Sequence, residues 1–143
     1  MSNESSLSTE ASDLRAATLR LARRIRQQRS VTGMTDGQFA VLVNLHRHGP
    51  HTLSALADRD GVTAPSMNRT VNALEEAGYV TRVADADDRR RVRIAITDAG
   101  HDVVDDTVTR RDTWLAQVLS SLDAGERRTL HEAAEIILRE VHR

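Results

Sequence analysis

The sequence predicts a mainly α-helical chain carrying one small β-hairpin. Apolar residues recur at helical spacing over most of its length, and between Tyr79 and Ile96 the period changes to two. Ahead of that change, three short helical stretches are closed in turn by Gly49, Gly61 and Gly78. At 143 residues the chain is expected to be a single domain that can bury a core. No apolar run approaches the ~18 residues of a membrane span. The polar start MSNESSLSTEASD has no apolar export segment, so a cytoplasmic protein is expected. With no cysteine, disulfides, thiolate metal sites and thiol-based peroxide sensing are excluded.

Taken in order, residues 1–8 read as a disordered tail, and Leu14, Ala17, Leu21 and Ile25 predict a helix from about Glu10 to about Arg29. The next helix has a detailed start: Thr35 and Gln38 fit a capping box, and Met34 with Phe39 a hydrophobic staple. Its apolar positions Phe39, Leu42, Val43 and Leu45 run to the Gly49–Pro50 stop. A short helix, about Thr52 to Arg59, buries Leu53 and Leu56. Another follows Thr63, takes Pro65 in its first turn and buries Met67, Val71 and Leu74. YVTRVA (Tyr79–Ala84) and VRIAI (Val92–Ile96) are expected to pair as strands, and the charged seven-residue segment Asp85–Arg91 between them exceeds an ordinary hairpin turn. Thr97 is a suitable N-cap for a long helix through Val103, Val104, Val108, Leu115, Val118 and Leu119. Asp123 and Glu126 open a last helix with the stripe Leu130, Ala134, Ile137 and Val141.

Charge is segregated along the chain, although the formal net charge is only -1 and all 20 basic residues are arginine. Residues 15–51 carry seven Arg against one acid, and residues 97–143 carry six against ten. The densest concentration is DADDRRRVR, where four arginines occupy five positions at the hairpin tip. Arginine presents a planar fork suited to phosphates, base edges and narrow minor grooves.

Helix, short helix, turn, helix, hairpin is the order of a winged helix-turn-helix. In the fourth helix the face opposite the apolar stripe holds Pro65, Ser66, Asn68, Arg69 and Asn72. Short polar side chains there allow close approach to base edges, and the helix dipole favours anions. An amphipathic helix with a solvated face would look the same alone; the Arg-rich hairpin after it favours DNA.

The stretch DDRRRVRIAITDAG resembles the wing signature of the multiple-antibiotic-resistance regulator (MarR) family, with D-x-R, a strand, then L/I-T-x-x-G at Asp88, Arg90, Ile96, Thr97 and Gly100. MTDGQFAVL, TLSALADRDGVTAPSMNRTVNALEEAGYV and LDAGERRTL extend the resemblance from about Leu14 to the C-terminus. It implies a winged helix-turn-helix over residues 35–97, flanked by dimerisation helices over 9–34 and 98–143. It further implies a homodimeric, double-stranded-DNA-binding transcriptional regulator, a repressor on a pseudo-palindromic operator, responsive to a small aromatic or phenolic ligand. Arg90 resembles the arginine that enters the minor groove, and Asp88 the aspartate that orients it through a salt bridge. Arg89 and Arg91 are open between phosphate contact and solvated charge. Many relatives carry an Arg, helping to tie this helix to the wing, where Ala73 stands.

Two other readings compete. A winged domain can serve protein–protein contact, and His46, His48 and His51 raise the alternative of a metal-responsive regulator. Histidines two apart on a helix point to different sides, and histidine near a helix C-terminus is favourable without a metal, so no metal site or cofactor is assigned. No phosphate loop, metal-ligand motif or nucleophile–base spacing suggests an enzyme.

Overall fold

The structure, a computed structural model, describes residues 2–142. Six helices and three strands follow in the order α1 (Ser2–Arg26), α2 (Asp36–His48), β1 (His51–Thr52), α3 (Leu53–Asp60), α4 (Ala64–Glu76), β2 (Val80–Ala84), β3 (Val92–Ile96), α5 (Asp98–Ser120) and α6 (Ala124–Val141). The chain divides into two compact units: Arg26–Arg110, and a helical unit made of the residues up to Ile25 and those from Arg111 onward.

The division falls inside α1 and α5 rather than at the expected limits of 34/35 and 97/98. Burial explains the difference. Val103, Val104 and Thr107 of α5 are buried with the winged unit, and Ser30 hydrogen-bonds there, its hydroxyl 2.9 Å from Thr107 Oγ1. The core of this unit is built by Val41, Leu42 and Leu45 of α2, Leu56 of α3, Met67, Val71 and Leu74 of α4, and Val80 and Ile94 of the strands.

Local chemistry fixes the boundaries. Thr35 Oγ1 accepts from Gln38 N at 3.1 Å while Gln38 Oε1 accepts from Thr35 N at 3.0 Å, so the expected capping box opens α2. Met34 and Phe39 join the core, as the staple requires. Thr52 and Thr63 cap α3 and α4 by accepting from Ala55 N and Ser66 N, both at 3.2 Å. Gly61 closes α3 at φ 65°, a left-handed conformation that a side chain disfavours.

The strands form one antiparallel sheet in the order β1-β3-β2. β2 and β3 pair from Val80↔Ile96 to Ala84↔Val92, and β1 adds His51↔Ile94 and Thr52↔Arg93 on the other side. The expected hairpin is therefore widened by a third strand that two residues of sequence could not announce.

In the first helix two expectations are corrected. Residues 2–8, expected as a disordered tail, form the opening turns of α1, and Met1 lies outside the described residues. Ser6 Oγ donates to Glu10 Oε1 at 2.9 Å and Thr9 Oγ1 to Ser5 O at 3.1 Å, while Leu7, one heptad before Leu14, continues the apolar stripe. The helix ends at Arg26 rather than near Arg29, because Arg29 turns back: its Nε donates to Arg26 O at 2.9 Å, and its guanidinium also binds Met34 O and Asp36.

The helical unit has little core of its own. Asp123 and Glu126 form the expected box at the start of α6, yet no residue of α6 is buried. Leu130, Ile137 and Val141 are all exposed, as are Leu7, Leu14 and Leu21 of α1. The Arg24 guanidinium lies 5.8 Å from the Trp114 ring centre, a cation–π contact joining α1 to α5 within this unit.

Candidate nucleic-acid interface

Met67, Val71 and Leu74 are all but fully buried, and this fixes the rotation of α4. Pro65, Arg69 and Asn72 are consequently exposed, and Ser66 and Asn68 half-buried. Arg69 makes no side-chain hydrogen bond or ion pair with another described residue.

At the wing, Asp85 N donates to Arg91 O at 2.9 Å and closes the loop at its base. The Asp85 side chain is itself nearly buried; Oδ1 accepts from Asp87 N at 3.1 Å and Oδ2 from Arg93 Nε at 3.2 Å. The Asp87 N–H above all, then the bond and charge of Arg93 and the charge of Arg91, hold this carboxyl below its ordinary value, outweighing the burial that pushes it up.

Asp88 does not form the salt bridge expected with Arg90. Its Oδ1 accepts from Arg90 N at 3.0 Å, and its carbonyl accepts from Arg91 N at 2.9 Å, so it shapes the turn through the backbone. A short carboxylate reaches the N–H two residues on more readily than the far end of that residue's guanidinium. The acid–guanidinium pair of the wing is Asp85–Arg93 instead. The side chains of Arg89, Arg90 and Arg91 are exposed and make no hydrogen bond or ion pair with a described residue. Arg91 borders a groove of about 480 Å³ lined also by Thr52, Leu53, Ser54, Ala64 and Val92. Two helix N-termini, of α3 and α4, open beside that arginine, each capped by its threonine.

Reading the sequence missed Arg82, the residue that ties the wing to α4. Its Nη2 donates to Asn72 Oδ1 at 2.6 Å and to Asn68 Oδ1 at 3.3 Å, and its Nε lies 3.5 Å from Glu75 Oε1. The signal was present in the strand alternation. Arg82, itself exposed, shares a sheet face with buried Val80 and pairs across from buried Ile94, so its side chain leaves the sheet on the face that packs on the core. Ala73 offers no such contact, and the link between helix and wing comes from the strand.

The histidines do not assemble into one site. His46 Nδ1 lies 2.7 Å from His101 Nδ1, His48 Nε2 accepts from Arg59 Nη2 at 3.1 Å, and His51 Nδ1 donates to Gly49 O at 2.6 Å. Among the described residues no group of three potential ligands converges, and no helix is long and apolar enough to cross a membrane.

A helix-turn-helix whose second helix is braced against an arginine-tipped wing is the architecture of a DNA-binding transcription regulator. Similarity to known proteins agrees. Residues 34–92 match the MarR family profile, and an HTH-type transcriptional regulator of Mycobacterium tuberculosis is 34% identical over 128 residues, 90% of each chain. The chain belongs to the MarR family. The HTH-type transcriptional repressor MdtR of Bacillus subtilis is 29% identical over 94 residues, covering 66% of this chain and 61% of that one. Transcriptional regulator Tm0710 from Thermotoga maritima superimposes with a TM-score of 0.76 at 25% identity, covering 94% of this chain and 98% of its own. A MarR family protein from Bacillus stearothermophilus shares the fold with a TM-score of 0.79 at 24% identity, over 98% of both chains.

Proposed function

We propose that the protein is a homodimeric repressor that binds a pseudo-palindromic operator. In this reading Pro65, Ser66, Asn68, Arg69 and Asn72 face the major groove. Arg90 enters the minor groove, Arg89 and Arg91 lie along the phosphates, and Asp88 holds the tip in shape. The observation that carries the proposal is the contrast among the arginines. The guanidinium groups of Arg29, Arg82 and Arg93 are engaged within the winged unit, whereas the side chains of Arg69, Arg89, Arg90 and Arg91 make no hydrogen bond or ion pair with the described residues. Guanidinium groups held out in this way suit phosphates and base edges.

The uncovered apolar stripes of α1 and α6 support a second copy as partner, and two-fold symmetry would mirror an inverted repeat. The repressor role is suggested by the name of the Bacillus subtilis relative. Response to a small aromatic or phenolic ligand rests on the family resemblance.

Selection of bound duplexes from a random pool at fixed salt tests the proposal. An inverted repeat with half-sites about 34–36 Å apart is expected. Binding by the wild type that does not weaken with salt, or no bound duplex at all, refutes it.

A further inference from the structure

The Arg82 contacts determine more than the position of the wing. A guanidinium only donates, so the amide atoms of Asn68 and Asn72 that face it must be the oxygens. The orientation of both amides is thereby settled by chemistry. The NH2 group of each makes no hydrogen bond with a described residue, and Asn72 is exposed and Asn68 half-buried. Glu75 closes the set by holding the same guanidinium from its Nε side.

We propose that Arg82 is a specificity-positioning residue that makes Asn68 and Asn72 present donors alone to DNA. A free asparagine side chain can pair bidentately with adenine, giving a proton to N7 and taking one from N6. Each oxygen already accepts from Arg82 and is held toward it, so the side-by-side presentation that adenine needs is disfavoured, and the NH2 groups, without protein acceptors among the described residues, favour acceptors on the bases. Guanine offers two of these at its major-groove edge, N7 and O6. The two residues stand one helical turn apart, about 6 Å along the axis, so they address base pairs within about two steps of each other. The inference rests on the DNA-binding reading above and adds the chemistry of the bases read beneath α4.

The test compares duplex selections by wild-type protein, Arg82→Ala and Asn72→Asp at one salt concentration. Wild type should enrich guanine at one or two positions per half-site. Arg82→Ala frees the amides to rotate, and preference there should fall about tenfold or turn toward adenine. Asn72→Asp keeps an acceptor for Arg82 and so keeps the link, but loses the donor; it should unfold like wild type and still lose the guanine preference. Arg82→Ala should bind random duplex with a salt slope like that of wild type, because Arg69 and the tip arginines are untouched. A guanine preference unchanged in both variants, or a wild-type preference for adenine at these positions, overturns the inference while leaving DNA binding intact. Absence of salt-dependent binding by the wild type overturns both.

Discussion

Gly100 packs directly against the backbone of Tyr79. A Cβ at residue 100 would stand 2.4 Å from the Tyr79 carbonyl oxygen and 2.6 Å from Ile96 Cγ1. The same carbonyl accepts from Thr97 N at 3.0 Å, and Thr97 Oγ1 donates to Gly78 O at 2.7 Å while accepting from Gly100 N at 3.1 Å. The T-x-x-G of the wing signature thus has a packing cause: it clamps the start of α5 onto the turn that leads into β2. Replacing a glycine inside a helix by alanine ordinarily stabilises by about 0.5–1 kcal/mol. Here Gly100→Ala should destabilise by about 1–3 kcal/mol, because a backbone oxygen cannot move aside as a side-chain end can. Urea unfolding decides the sign.

Asp85 should make wing order dependent on acid. Its carboxyl titrates below the ordinary 3.8 in the folded state, so the stability it adds is fully present above that value and is lost as pH falls through the lower folded value. The amide resonance of Asp87 should report a midpoint below 3.8, since that N–H is the largest cause of the shift. Asp85→Asn should lower stability at neutral pH and flatten its decline toward acid. A midpoint at or above 3.8 would contradict the assigned partners.

Asp88 and Arg90 can be separated by their replacements. Arg90→Ala is expected to weaken operator binding by about 1–3 kcal/mol in each half-site. Asp88→Asn keeps an oxygen for the Arg90 N–H and should bind nearly as wild type, whereas Asp88→Ala removes it and should bind less tightly. Were the aspartate's role an ion pair with the arginine, the asparagine variant would be as weak as the alanine one. Gel shifts at one salt concentration distinguish these outcomes.

Ile137 lies in the uncovered stripe of α6, so Ile137→Glu should impair pairing of two copies without loosening the winged unit. Sedimentation should move from dimer toward monomer and operator affinity should fall steeply. Protection of Leu42 and Leu74 amides from exchange should persist.

Much of this fold was legible because its signals are local. The boxes Thr35–Gln38 and Asp123–Glu126, and the caps at Thr52, Thr63 and Thr97, each lie within three residues of their partners. The exposed site residues followed from the apolar stripe of α4, whose burial leaves the opposite face to solvent. What stayed hidden depends on distant partners. β1 is two residues held by Ile94 and Arg93, more than forty positions on, and has no periodicity of its own. Asp85 could not be told from Asp87 and Asp88 by type; register alone places it at the loop base, opposite Arg91. Arg82 was readable in part, as an arginine on the same strand face as Val80, but its acceptors lie 10 and 14 residues back.

The place of β3 in the middle of its sheet separates holding from reading. Bonded to β1 on one edge and β2 on the other, it could shift by one residue only by breaking both pairings and turning Ile94 out to water. The loop beyond Asp85 is under no such constraint. Relatives could therefore lengthen, shorten or recharge their tips while inheriting the same frame, so operator preference can diverge faster than the fold that carries it.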